Sequence, residues 1–168
     1  MSNQPATATG LRVRRPKVKE GDFFSIALEN GQHAYGRVLG SPALAFYDGI
    51  GPVVTNVQEL IGRPVLFRIW AMKDCFKCLN WQLLGNQPLE EHLRERLIFF
   101  KKDSISGELS LYYSWPGKSE EKKATRQQCV GLECAAVWSA CHVEQRLLDH
   151  YHEVPNKSVQ VFASSLDK

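Results

Sequence analysis

Short β-prone runs separated by turn residues are the feature that most constrains the fold of this sequence. Residues 23–28 (FFSIAL) and residues 33–39 (HAYGRVL) flank Asn30 and Gly31. Asn-Gly tolerates the positive φ angles of a two-residue hairpin turn, so the two runs are expected to pair as antiparallel strands. The pattern favours a sheet that is built from hairpins and not from parallel strands with helical crossovers.

Further runs extend this sheet. Residues 97–101 and 108–115 flank residues 103–107 (DSISG), which predicts a second hairpin. Residues 43–47 predict a short strand, and residues 64–71 (PVLFRIWA) give the strongest strand signal because they are apolar, β-branched and aromatic.

The remaining segments are less regular. Residues 56–61 predict one helical turn or a loop, and residues 86–93 predict a short helix with Pro88 in its first turn. Residues 118–126 are charged and predict an exposed loop. The apolar run at residues 159–163 predicts an edge strand.

Residues 133–151 predict one long helix. Spacings of three and four place one apolar stripe on a single face, formed by Ala136, Ala140, Val143, Leu147 and Tyr151. The predicted fold class is therefore α+β: a bent antiparallel sheet, partly open and barrel-like, packed by one long C-terminal helix.

Charge is distributed unevenly along the 168 residues. Five cations lie between residues 12 and 19, whereas residues 20–168 carry 16 basic and 18 acidic side chains, a net charge of −2. We expect a disordered basic arm at residues 1–16 and a single domain at residues 17–165. A near-neutral body makes direct nucleic-acid binding over its surface unexpected. Neither a membrane span nor a secretory signal is predicted, which indicates a cytoplasmic protein.

The five cysteines leave one alternative open. Cys75 and Cys78 form a C-x-x-C unit, and with Cys129 and Cys134 they offer four thiolates for zinc, or one pair for redox chemistry. The four-residue spacing of the second pair and the absence of a βαβ pattern count against both. We therefore expect no metal and no cofactor.

Catalytic motifs are not found in the sequence. It contains no G-x-S-x-G, no phosphate-binding glycine loop and no H-E-x-x-H. Asp22 follows a glycine directly before a strand, where a turn role is usual. Gly36 is expected to allow a close approach by a neighbouring segment. For Arg37 a structural ion pair and a functional contact both remain open.

Three blocks of sequence resemble the immunity protein 26 family of bacterial polymorphic toxin systems. They are residues 17–28 (KVKEGDFFSIAL) with 35–39 (YGRVL), Trp81 with Pro88 and Leu89, and residues 131–138 (GLECAAVW) with 143–147 (VEQRL). Together they span most of residues 17–151. The resemblance implies an antidote without chemistry of its own, which binds the C-terminal domain of a cognate toxin in the cytosol. The oligomeric state stays open.

Acids and aromatic residues in predicted loops or exposed strands are the candidates for the toxin interface. Adjacent Tyr112 and Tyr113 must face opposite sides of a sheet, which leaves two alternatives open: one of them is exposed, or both are covered in a two-layer sheet. Acids that match a basic toxin cleft would speed association. The candidates are Glu29, Asp48, Glu90, Glu91, Tyr112, Trp115 and Glu120.

A second resemblance gives an enzymatic alternative. The opening Gly-Asp turn and the Arg-Val-Leu return strand are similar to small-barrel ribonuclease toxins, although the Arg-Pro expected before the return strand is missing. Such an enzyme would use Arg37 and a carboxylate such as Asp22.

Overall fold

The first hairpin forms as the sequence predicts. In a computed structural model that describes residues 17–167, β1 (Asp22–Ala27) pairs antiparallel with β2 (His33–Gly40). Asn30 and Gly31 take φ angles of 56° and 70° in the turn, the left-handed region that these two residue types tolerate. The predicted arm at residues 1–16 lies outside the described residues.

Within residues 17–167, ten strands form two open sheets, which confirms the α+β class. The six-stranded sheet has the order β10-β4-β3-β2-β1-β5, and the four-stranded sheet has the order β8-β7-β6-β9. All strand pairs are antiparallel except the short β10–β4 and β9–β6 pairs. The remaining strands are β3 (Ala43–Tyr47), β4 (Val65–Ala71), β5 (Trp81–Asn86), β6 (Leu97–Lys102), β7 (Leu109–Trp115), β8 (Lys118–Lys123), β9 (Glu133–Cys134) and β10 (Val137–Trp138). Neither sheet closes into a barrel.

The described part of the chain also contains three α-helices: α1 (Arg126–Cys129), α2 (Ala140–Tyr151) and α3 (Lys157–Ser165). The long helix predicted for residues 133–151 therefore starts too early. Residues 133–134 and 137–138 pair with the edges of the two sheets as β9 and β10, and α2 begins only after Ser139. None of the helices within residues 17–167 is long and apolar enough to span a membrane.

Two further predictions were wrong. Residues 118–123 form strand β8, although all six are exposed, because the Gly117 turn (φ 71°) folds them back onto β7. Residues 159–163 belong to helix α3, whose N-cap Asn156 accepts a hydrogen bond from the Val159 amide. The helical turn expected at residues 56–61 is present as the 3-10 helix Val57–Leu60, and residues 86–93 contain only the 3-10 turn Glu91–Leu93.

Both faces of the six-stranded sheet are buried. Alternate residues such as Phe24 and Phe46 enter one core, together with Trp138, Val143 and Leu147 from the C-terminal segment. The opposite face meets the four-stranded sheet in a second cluster, formed by Leu39, Ala45, Leu89, Leu93 and Phe99, and contributes Phe23, Tyr35 and Tyr47 to a third. Burial on both faces explains the near-continuous apolar runs of β3 and β4.

Candidate functional site

Arg37 is the one basic side chain that is fully buried among the described residues. Strand alternation places it on the same face of β2 as Tyr35 and Leu39. Its Nε donates to the Gly21 carbonyl at 3.1 Å, and its Nη2 donates to the carbonyls of Gln87 and Pro88 at 2.8 Å each. The guanidinium therefore ties the entry of β1 to the segment that follows β5.

Three further groups contact the Arg37 guanidinium. Its Nη1 lies 3.5 Å from the Tyr47 hydroxyl and 3.4 Å from Oε2 of Glu90, and its guanidinium carbon lies 3.6 Å from the centre of the Phe23 ring. Burial raises the pKa of Tyr47 despite the hydrogen bond from Arg37, so this phenol stays neutral. We call this group of contacts the Arg37 clamp.

The Arg37 clamp leaves no route to a substrate. All three guanidinium nitrogens are engaged and the side chain is 0% exposed. Asp22 is also buried, and its carboxylate accepts from the Lys19 amide at 2.8 Å and from Asn86 Nδ2 at 2.9 Å. The geometry therefore gives no support to a ribonuclease that uses Arg37 and Asp22, and the role of Arg37 in this structure is structural.

The cysteines do not form a metal site. Within residues 17–167, no group of three or more His, Cys, Asp or Glu side chains could hold a metal ion. Burial raises the pKa of Cys75 and of Cys134 to about 11, so both remain protonated thiols at neutral pH. Redox nucleophiles need the thiolate, so the redox alternative loses support. The zinc alternative loses support because residues 17–167 contain no group of ligands that could hold the ion.

One face of the four-stranded sheet carries a cluster of aromatic and charged side chains. β7 contributes Tyr113 and Trp115, whose half-buried rings stack with centroids 6.5 Å apart. Register places Ile98 of β6 and Glu120 of β8 on either side of Tyr113. We call this cluster the outer aromatic surface; its members are Arg96, Ile98, Tyr113, Trp115, Lys118, Glu120 and Lys122.

Three cations lie over the two rings of the outer aromatic surface. The Arg96 guanidinium lies 4.6 Å from the Tyr113 centroid and 5.6 Å from that of Trp115. The ammonium of Lys118 is 5.4 Å from Trp115, and that of Lys122 is 5.6 Å from Tyr113. Each such contact contributes roughly 0.5–1 kcal/mol at an exposed site and orders both partners.

A cleft of about 530 Å³ opens beside Trp115, between the β2–β3 turn and the tip of the β7–β8 hairpin. Leu39, Pro42, Leu93 and Trp115 contribute to its wall. A neighbouring cleft of about 450 Å³ shares Pro42 and Trp115 and extends to Val137 of β10. Trp115 therefore lies where the outer aromatic surface meets a concave region that could accept a side chain of a partner.

Comparison with protein-family models identifies the family of this chain. The family model described as immunity protein 26 matches residues 19–111, more than half of the chain. The chain belongs to the immunity protein 26 family. No curated protein and no solved structure matches it.

The segment matched by the immunity protein 26 family contains the complete Arg37 clamp, from Gly21 to Glu90. Most of the outer aromatic surface, from Tyr113 to Lys122, lies beyond residue 111. The Arg37 clamp therefore lies within the segment that the family model matches, whereas most of the outer aromatic surface lies outside it.

The structure distributes the interface residues that were predicted for an immunity protein over several elements. Glu29 and Glu91 are exposed in 3-10 turns, and Asp48 is exposed at 3.6 Å from His150 Nε2. Glu90 belongs to the Arg37 clamp, and Tyr112 packs edge-on against Trp70 between the two sheets.

Only two of the predicted residues, Trp115 and Glu120, come together on one face. The prediction missed their neighbours Arg96, Tyr113, Lys118 and Lys122. Alternation of Tyr112 and Tyr113 gave a partial signal, but the lysines belong to β8, which has no apolar alternation from which a strand can be inferred.

Proposed function

We propose that this protein is an immunity protein that binds one cognate toxin domain in the bacterial cytosol and neutralises it by binding alone, without catalysis. The toxin would be the C-terminal domain of a polymorphic or contact-dependent inhibition toxin. The observation that carries the proposal is membership of the immunity protein 26 family.

Two structural features support this proposal. Arg37 and Asp22, the residues of the ribonuclease alternative, are buried, and Arg37 is hydrogen-bonded to the Gly21 carbonyl. The Cys75–Cys78 pair belongs to no group of side chains within residues 17–167 that could hold a metal ion. All five cysteines are free, which suits a reducing compartment.

The test is protection of cells from the toxin domain encoded beside this gene. Cells that express the toxin domain should stop growing, and coexpression of this protein should restore growth and yield a one-to-one complex on copurification. The Arg37→Met variant is the control. Loss of the Arg37 clamp should destabilise the fold, so this variant should protect cells less well if protection requires the folded protein. Equal killing with and without the wild-type protein would refute the proposal.

A further inference from the structure

The outer aromatic surface is held on a rigid part of the fold. β7 is an inner strand with β6 and β8 hydrogen-bonded on its two sides, so Tyr113 and Trp115 have fixed backbone positions. Ile98 beside Tyr113 is 37% exposed. Tyr, Trp and Arg are the residues that dominate binding hot spots, because large, ordered side chains lose little conformational entropy on binding.

Charge on the outer aromatic surface is unbalanced. Lys122 pairs with Glu120 at 3.1 Å, which leaves Arg96 and Lys118. Within residues 17–167, neither Arg96 nor Lys118 makes a side-chain hydrogen bond or an ion pair, and their cations contact only the aromatic rings. The surface therefore has two excess positive charges at the edge of an apolar patch, on a body whose net charge is negative.

From this imbalance we infer that the outer aromatic surface is the toxin-docking surface, and that the toxin meets it with carboxylates flanking an apolar side chain. The inference rests on the proposed function and gives the chemistry of the partner. Carboxylates would pair with Arg96 and Lys118, while the apolar side chain would pack on Trp115 and Ile98. This charge pattern is opposite to the acidic interface expected from the sequence. Complementary charge would steer association and fix the orientation of the toxin.

Aromatic rings with cations also occur on proteins that bind single-stranded nucleic acid, but this arrangement suits a protein better. Base stacking requires open ring faces, whereas Tyr113 and Trp115 stack on each other beneath Arg96.

The test measures affinity for a catalytically inactive form of the toxin domain encoded beside this gene. The double variant Arg96→Glu with Lys118→Glu should lower the association rate about tenfold at low salt, with a smaller effect at high salt. Trp115→Ala should weaken binding about 30-fold, the loss typical of a hot-spot residue. Lys157→Glu is a control that reverses one charge on a different element: Lys157 is exposed at the start of α3, and an acid there suits the helix dipole. It should bind like the wild type.

A second measurement reads the partner chemistry directly. Zero-length carbodiimide coupling joins lysine amines to neighbouring carboxylates, so peptides that contain Lys118 or Lys122 should become linked to Asp or Glu peptides of the toxin. Thermal unfolding of each variant establishes that it is folded, and the double variant keeps the test decisive if Trp115→Ala unfolds.

The outcomes separate the two proposals. If the wild type binds the toxin and both surface variants bind equally well, the docking surface is wrong while the proposed function stands. If the wild type neither binds nor protects, the proposed function fails and this inference fails with it. If instead the wild type binds a single-stranded oligonucleotide and Trp115→Ala abolishes that binding, the surface is a nucleic-acid site and the inference is overturned.

Discussion

Arg37→Met is expected to lower the free energy of unfolding by about 3–5 kcal/mol, the cost of removing one partner from a buried charged network. The substitution removes the charged donor from the carbonyls of Gly21, Gln87 and Pro88. The Gly21 carbonyl still accepts from the Gln87 amide at 3.1 Å. A hydrogen bond from a charged donor contributes about 1.5–3 kcal/mol, and three together would give more than the expected total if they were additive. Methionine retains apolar contact with the Phe23 ring, and water can reach part of the segment that follows β5. We therefore expect a loss of about 3–5 kcal/mol and not the larger additive sum.

Urea denaturation followed by far-UV circular dichroism measures this loss, and two further variants assign its cause. Arg37→Lys keeps the charge but offers one nitrogen in place of three, so it should lose about 2–4 kcal/mol. Glu90→Gln removes only the carboxylate charge. Because Arg37 is 0% exposed and Glu90 is 22% exposed, this change should cost about 1–3 kcal/mol, less than Arg37→Met, since glutamine keeps an oxygen acceptor.

Two results would refute this account of the Arg37 clamp. A loss of less than 1 kcal/mol in Arg37→Met would mean that the carbonyl contacts contribute little to stability. Ribonuclease activity that is present in the wild type and absent from a folded Arg37→Lys variant would mean that Arg37 acts on substrate, contrary to its burial.

Three further predictions concern packing and thiol chemistry. Gly36→Ala should cost about 3 kcal/mol or more in urea denaturation, because a Cβ would meet the Phe24 ring and lie 2.6 Å from the Ala45 carbonyl oxygen; Gly85→Ala, also in a strand, should be within about 1 kcal/mol of the wild type. Arg146→Met should cost about 2–4 kcal/mol by thermal or urea unfolding, because it removes two hydrogen bonds of 2.5 and 3.0 Å to Glu133 from a side chain that is 11% exposed. A thiol reagent at pH 8 should modify exposed Cys141 quickly and Cys75 only on unfolding; because burial raises the pKa of Cys75 from 9.0 to about 11, its contribution to stability should be lost as pH rises through that range.

Those strands whose signals are local could be predicted from the sequence. Asn30-Gly31 specifies its own turn, and the apolar runs of β3 and β4 follow from burial on both faces of the sheet. The prediction that Gly36 permits a close approach is confirmed by the Phe24 ring packed against it. Each of these features depends on residues that are near in sequence or on a steric requirement of one residue.

Elements whose stability comes from distant partners could not be predicted. Residues 133–138 satisfy a helical apolar period, but pairing with two sheet edges favours the extended form. The Ala135 amide donates to the Phe100 carbonyl, the Met72 amide donates to the Trp138 carbonyl, and Glu133 pairs with Arg146. β8 has no apolar residue at all and exists because β7 supplies its hydrogen bonds. For α3 a local signal was present, the Asn156 cap after Pro155, but the apolar run alone suggested a strand.

The candidate site shows the same division. Arg37 could not be assigned from sequence because three of its partners are backbone carbonyls, which any residue supplies. Between Tyr112 and Tyr113 the alternation required opposite faces, yet only the packing of Tyr112 on Trp70 of the other sheet shows which one is outside. The charge pattern around Tyr113 depends on β8, and the sequence predicts a loop for that segment, so it does not predict this pattern.

Arg37 and Arg96 illustrate how one residue type serves stability and recognition in the same fold. Both guanidiniums lie over aromatic rings, but Arg37 has its charge met inside the protein by carbonyls and Glu90, whereas Arg96 has, in the part of the chain that the structure describes, only the ring faces of Tyr113 and Trp115. An aromatic ring satisfies none of the hydrogen-bond donors of a guanidinium. A carboxylate of the toxin can therefore replace water as the acceptor for Arg96 without breaking an internal hydrogen bond. Binding through Arg96 would therefore leave the clamp intact. The double variant Arg96→Glu with Lys118→Glu should lower the association rate about tenfold at low salt and lower the free energy of unfolding only by the ring contacts it removes, about 0.5–1 kcal/mol each.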